Sequence, residues 1–383
     1  MKRMMTVFFI IVMGCSLSFA QGDEERYIIK GNNQQNIKDG IVESGGTVGK
    51  HLKHFNAFVS HMNDKALQKF IQKYGDEATV EKDSIAWALG KPVDQPKKEK
   101  KNKNKIEQPP QTEPWGINRV KATEDGLNNI TGFGVTVCVV DSGVQKDHPD
   151  LAYNIIGGEN FVSKNGNVKS SRWDDDFGHG THISGVIGAL DNEIGVVGVA
   201  PDVSIFAVKV LDEEGYGYLS DVADGIISCV ENNADVINLS LGSPEGVSYL
   251  LEAIQYAKTV NPEIVIVAAA GNDNGEVSYP AKYEEVIAVS AIDINNQFAW
   301  FSNSGPEIDF IAPGVEINST VINSSYALYN GTSMAAPHVS GVAALMKSAR
   351  QNELLADYIE GLTDSQQGNG LINANKTING YNY

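Results

Sequence analysis

Three short stretches hold residue types that packing alone does not explain. Ser333 stands in NGTSMAAPHVSG, which runs on into the apolar VAALMKSA, so a hydroxyl sits at the mouth of a buried helix. His179 stands in GHGTHISG, and Asp141 ends the apolar run VTVCVVD. A serine hydroxyl is a weak nucleophile until a base lies within hydrogen-bond reach. That base in turn needs a third group to fix its tautomer and stabilise its charge. A hydroxyl at a helix start also has free backbone N–H groups and the positive end of the peptide dipole beside it, both suited to a developing negative charge.

The rest of the chain supplies elements that would bring these residues together. VSIFAVKVL, DVINLSLG, EIVIVAAAGN and EVIAVSAID join VTVCVVD as short, β-branched runs of the kind buried on both faces of a parallel sheet. THISGVIGAL, LSDVADGIISCVENN and VSYLLEAIQYAKTV lie between them with helical spacing. Alternating strands and helices predict an α/β fold, a mostly parallel central sheet flanked by helices on both faces. Sites in such sheets form beyond the carboxyl ends of the strands. Asp141-Ser142-Gly143, Ser240-Leu241-Gly242 and Gly271-Asn272 stand at such ends, while His179 and Ser333 open helices.

The order Asp, His, Ser is the one found in subtilisin. DSG at Asp141, GHGTHISG and NGTSMAAPHVSG resemble the signature motifs of subtilisin-like serine proteases, and AAAGN resembles that family's oxyanion segment. The resemblance covers about residues 110–375. It implies Ser333 as nucleophile, His179 as general base and acid, and Asp141 as orienter. Asn272 and the backbone N–H of Ser333 would then bind the oxyanion. Pro337 would fall in the first turn of the serine helix, where its missing N–H costs little. Substrate would add as a strand between Gly215-Tyr216-Gly217 and Ser240-Leu241-Gly242. Ala269, Ala270 and Gly271 would wall the S1 pocket, with Ser278 near its base, favouring apolar or aromatic P1 residues over a dibasic pair. The intact triad argues against a catalytically silent binding protein on the same fold; a narrow-specificity envelope maturation protease is the other alternative.

Leu190 to Val196 resembles the family's calcium loop. Calcium takes six to eight hard oxygens. Gln111, Asp150 and Asn192 would give side-chain oxygens, and Leu190, Ile194 and Val196 carbonyls. A second, weaker cation site is expected at Asp309 with carbonyls of Ala281, Tyr283 and Val286. His148 reads as a turn residue, His182 as structural and His338 as a packed core histidine. Asp174-Asp175-Asp176 reads as a solvated acidic loop rather than a metal cluster.

The front of the chain is of another kind. Lys2 and Arg3 precede a short apolar stretch, and Ser18-Phe19-Ala20 is an acceptable cleavage site, so residues 1–20 read as a secretory signal. No other segment predicts a membrane span. Cys15 follows a poor lipoprotein box. Residues 21–95 resemble the family's inhibitory prodomain. A strand is expected at Arg26 to Lys30, a helix from His54 to Tyr74 and a strand at Ala78 to Asp83. The segment ending Ala86-Trp87-Ala88-Leu89 would thread the cleft. Residues 96–109 form a lysine-rich linker, and 110–383 the peptidase domain. The processing bond lies anywhere from Leu89 to Gln111. Residues 1–109 carry a net +5 and residues 110–383 a net −23, which argues against nucleic acid as partner and for docking of the front on the rest. Cys138 and Cys229 are read as two small buried residues, with pairing the alternative. A secreted monomer acting on peptides, inhibited by its own prodomain, is expected.

Overall fold

The computed structural model describes residues 24–93, 107–123, 127, 129–164, 167–349, 359–360, 368 and 370–375; the signal stretch, Cys15 and the lysine run lie outside the described residues. Contacts divide the chain into two units, Met1–Lys82 and Asp83–Tyr383.

The first unit runs β1 (Glu25–Gly31), α1 (Gln34–Ser44), β2 (Thr47–Leu52), β3 (Ala57–Met62), α2 (Asp64–Tyr74) and β4 (Ala78–Lys82). Its strands form an antiparallel sheet in the order β2-β3-β1-β4. Ile29, Ile37, Ile41, Phe58, Met62 and Phe70 make its core. The expected helix from His54 to Tyr74 is shorter. Ala57–Met62 is a strand, and the helix begins only after Asn63, whose side chain accepts from Ala66 N at 3.0 Å. Phe58 and Met62 satisfy both a four-residue and a two-residue spacing, and pairing with β1 decides for the strand.

The second unit begins with β5 (Ile85–Ala88), β6 (Lys91–Pro92), α3 (Trp115–Arg119), β7 (Thr136–Asp141), β8 (Ile155–Asn160), β9 (Ser163–Lys164) and β10 (Asn167–Val168). There follow α4 (His179–Gly188), β11 (Ser204–Lys209), β12 (Tyr216–Tyr218), α5 (Leu219–Glu231), β13 (Val236–Leu239), β14 (Leu241–Gly242) and α6 (Ser248–Val260). The unit continues with β15 (Val265–Ala269), β16 (Ile287–Ile292), β17 (Ile308–Pro313), β18 (Ile317–Val321), β19 (Ser325–Asn330), α7 (Thr332–Ser348), β20 (Ile359–Glu360) and β21 (Leu371–Ile372).

The central sheet has the order β20-β21-β17-β16-β15-β13-β7-β11-β8. All its pairings are parallel except β20 with β21. The expected α/β architecture is therefore present. The serine helix α7 packs on β13, β15, β16 and β17 and on α4, while α5 packs on β7, β11 and α6. Small residues explain how α7 passes through the core: Ala335, Ala336, Gly341, Ala343 and Ala344 are all buried.

Cys138 and Cys229 are buried, as expected, but they are joined, with S–S 2.06 Å and Cα atoms 5.7 Å apart. The pairing corrects the reading of two separate thiols. Their 91-residue separation had concealed that α5 packs directly on β7.

Candidate active site

β7 and β11 are neighbours in register, and Asp141 ends β7 opposite Lys209. Helix α4 begins at His179. The imidazole Nδ1 lies 2.8 and 2.9 Å from the two Asp141 oxygens, and both side chains are fully buried. A carboxylate can only accept, so Nδ1 carries the proton, leaving Nε2 with its lone pair. Ser142 N also donates to Asp141, at 2.7 Å.

Ser333 stands in the first turn of α7 and donates through Oγ to Ser240 O at 2.8 Å. His179 Nε2 has no hydrogen-bond partner among the described residues. Between them passes the chain itself. A side chain on Gly90 would begin 2.8 Å from His179 Nε2, and Ser333 N donates to Leu89 O at 3.3 Å. Asn272 Nδ2 also donates to Leu89 O. One carbonyl thus receives an N–H from a helix terminus and one from a side-chain amide, an arrangement suited to an oxyanion. Thr332 N and Oγ1 each hold Asn272 Oδ1 at 2.9 Å and so fix which end of the amide faces Leu89. Thr332 was not anticipated, although it directly precedes Ser333. Gly331, at φ 155°, is required here: a β-carbon would stand 2.1 Å from Leu89 O.

The segment before Leu89 is strand β5, paired antiparallel with β12 and β14. Tyr216 lies opposite Trp87, Gly217 opposite Ala86, Leu241 opposite Ala88 and Gly242 opposite Trp87. Ala88 N donates to Gly215 O at 3.0 Å and Leu89 N to Ser240 O at 3.2 Å. The two expected edges are therefore together, with a strand between them. Leu89 is 3% exposed and lies against Gly242, where a β-carbon would come within 2.7 Å of Leu89 Cδ1. Gly271 and Ser278 meet: a β-carbon on Gly271 would stand 2.7 Å from Ser278 Oγ. Ser278 N donates to Ala270 O at 2.8 Å. Beyond Leu89 the chain continues as β6 along β19, with Lys91 opposite Asn330 and Pro92 opposite Tyr329.

Pro337 lies one turn deeper than expected, since α7 begins at Thr332. A proline there cannot donate to Ser333 O. Ser240 Oγ takes that place at 2.9 Å, and so the freed carbonyl is satisfied.

The side chains expected to hold calcium lie close together. Asn192 N donates to Gln111 Oε1 at 2.6 Å, Asn192 Nδ2 to Asp150 Oδ1 at 2.8 Å and Val196 N to Asp150 Oδ2 at 3.0 Å. Leu190 N donates to Asp150 O at 3.0 Å, and Pro110 bridges Ile194. Asp150 is wholly buried, and burial pushes its carboxyl up to about 6. The Asp150 oxygens meet N–H donors here, and Asn192 Oδ1 accepts Ile194 N at 2.7 Å, so what the loop offers a hard cation is the nearness of the Gln111, Asp150 and Asn192 oxygens. The second set is less converged: Asp309 Oδ2 accepts Ala288 N at 2.8 Å, and Tyr283 O accepts Val286 N at 3.0 Å.

His182 and His338 are core residues. His182 Nε2 lies 3.0 Å from Ile317 O, and its ring stacks on Tyr329. His338 Nδ1 lies 2.7 Å from Met334 O. His148 lies in a turn, but it is buried there, with Nε2 3.2 Å from Ser325 O. Asp174 and Asp176 of the acidic run are exposed as expected, and only Asp175 departs from the solvated reading. Asp174 pairs with Lys146 at 2.7 Å, Asp176 pairs with the buried Lys209 at 2.7 Å, and Asp175 is enclosed by donors. The lysine inside the apolar run VSIFAVKVL was the signal that a carboxylate must lie near.

Fold and site define a serine endopeptidase of the subtilisin type, and residues 132–376 match the Subtilase family; the chain belongs to that family. Among known proteins it is 41% identical to Subtilisin E of Bacillus subtilis (strain 168) over 349 residues, 88% of this chain and 84% of that protein. It is 45% identical to the Thermostable alkaline protease of Halalkalibacterium halodurans over 275 residues, covering 70% of this chain and 73% of the relative. Subtilisin of Bacillus pumilus is 44% identical over 276 residues, 69% of this chain and 98% of its own length.

Proposed function

We propose that the chain is a secreted, calcium-stabilised endopeptidase made as a zymogen, and that its first substrate is its own Leu89–Gly90 bond. The observation that carries this reading is the seat of Leu89: its carbonyl is held by Asn272 Nδ2 and Ser333 N while Gly90 lies against His179 Nε2. In the reaction, Ser333 Oγ turns from Ser240 O, gives its proton to His179 Nε2 and attacks the Leu89 carbonyl carbon. The oxyanion draws on Asn272 and Ser333 N, and Asp141 stabilises the imidazolium through Nδ1. Collapse breaks the C–N bond. His179 passes its proton to the Gly90 amine, and Leu89 remains as an ester on Ser333. Water then takes the path of the amine and releases a Leu89 carboxylate.

Residues 21–95 act as prodomain, and the front's +5 against the body's −23 favours their association. The Leu89 pocket supports a preference for apolar P1 residues, since burying a leucine side chain is worth about 2 kcal/mol. Calcium would be held by Gln111, Asp150 and Asn192 with the carbonyls of Leu190, Ile194 and Val196. Its charge would balance Asp150 and fasten the 190–196 loop to the start of the peptidase domain. The signal stretch supports secretion. Among the described residues no helix is long and apolar enough to cross a membrane.

N-terminal sequencing of the protein made with and without Ser333→Ala tests the reading. Wild type should yield an N-terminus at Gly90, before any trimming of the lysine run, and Ser333→Ala should stay joined there. A Ser333→Ala chain cut at Leu89–Gly90 as fast as wild type would remove the claim.

A further inference from the structure

Helix α4 carries His179 but has no side-chain N-cap at Gly178. The free N–H groups of a helix start need partners. Gly178 N and Phe177 N donate to Asp175 Oδ1 at 2.8 and 3.0 Å. Thr181 N and Oγ1 donate to Asp175 Oδ2 at 2.9 and 2.6 Å. Gly180 N donates instead to Ser142 Oγ, at 2.9 Å. Ser142 Oγ then donates its own proton to Asp175 Oδ1, at 2.8 Å. Ser142 is the residue after Asp141. The turn bearing the carboxylate and the helix bearing the imidazole are therefore tied a second time, beside the direct His179–Asp141 bond. Lys209 anchors the same turn from beneath, with Nζ 2.7 Å from Ser142 O and 2.7 Å from Asp176 Oδ1.

We propose that Asp175 is a positioning residue for the reaction: acting through Ser142 and the first turn of α4, it holds His179 in line with Asp141. An ionised carboxylate only accepts, so it dictates the direction of every bond in the set. Ser142 must donate to it and so presents a lone pair to Gly180 N. A negative group is also favoured at the start of a helix. Asparagine in its place would turn an NH2 toward at least one donor and break the set without changing its size. Asp175 touches no substrate atom, and its effect must appear in the geometry of the base. The proposal rests on His179 and Asp141 acting as base and orienter.

The test is steady-state hydrolysis of an apolar-P1 peptide amide by mature Asp175→Asn and Ser142→Ala enzymes, with kcat and KM read separately. Each should lower kcat about 10- to 100-fold, the scale of one charge-assisted hydrogen bond lost. KM should stay within about twofold, because the strand edges at Gly215 and Ser240 are untouched. Asp174→Asn, on the exposed Lys146 pair, should retain wild-type kcat. If Asp175→Asn does not accumulate, Ser142→Ala decides alone, since it removes only the hydroxyl link. Wild-type kcat in the soluble variants, or a loss carried by KM, overturns the proposal. Wild type itself inert toward the peptide would instead overturn the underlying reading.

Discussion

Ser240 and Ser333 exchange two hydrogen bonds: Ser333 Oγ donates to Ser240 O at 2.8 Å, and Ser240 Oγ donates to Ser333 O at 2.9 Å. The second bond exists because Pro337 supplies no N–H to that carbonyl. Ser240→Ala should therefore leave a buried acceptor unsatisfied and cost about 1–3 kcal/mol. Thermal scanning should show a lower melting temperature. Introducing Pro337→Ala into the Ser240→Ala enzyme restores a donor and should recover part of the loss; no recovery would count against this account.

The seat of Leu89 predicts that Asn272→Ala lowers kcat about 10²- to 10³-fold with little change in KM, the magnitude known for the corresponding asparagine of subtilisin rather than one obtained here. Active-site titration before the kinetic assay separates slow turnover from a reduced count of mature enzyme.

Leu89 lies against Gly242, so under the proposed reading Gly242 sets the size of the P1 pocket. Gly242→Val should cut kcat/KM for a leucine P1 peptide at least about tenfold while sparing an alanine P1 peptide, a shift of about 1.4 kcal/mol or more in discrimination. Equal losses on both peptides would locate the pocket elsewhere.

Burial pushes the His182 imidazole down to about 3 and that of His338 down to about 4. The unfolded chain therefore binds more protons than the folded one between those values and the ordinary 6.5. Stability is fully present above about 6.5 and is lost as pH falls toward 4, by roughly 3 kcal/mol for His338 alone. Melting temperature should fall from pH 7 to pH 4, and His338→Gln should flatten the slope by about one proton even if the variant is less stable at pH 7.

The Cys138–Cys229 bond closes a loop of 91 residues between β7 and α5. Removing such a link from the unfolded chain's constraints costs about 2–5 kcal/mol. Cys138→Ala with Cys229→Ala should melt well below wild type, and a reductant should have no effect on the double variant. A double variant as stable as wild type would mean that the link does not constrain the unfolded state.

Much of this protein was legible before any coordinates. The strand runs and the helices between them follow from local periodicity, and the three motif residues stood out as residue types that packing did not account for. The sheet then brings Asp141 and His179 together because parallel strands place their carboxyl ends on one rim. The misreadings came where partners are distant in sequence. Phe58 and Met62 fit helix and strand alike until β1 paired beside them. Asp175 looked like one of three solvated acids until Ser142 and Thr181 closed around it. Cys138 found Cys229 only once α5 lay on β7, and Pro337 was placed by where α7 begins rather than by its motif. Local pattern is set by the backbone's own periods, so the chain could announce it. Which buried donor meets which acceptor depends on packing between remote segments, and only the tertiary structure decided that.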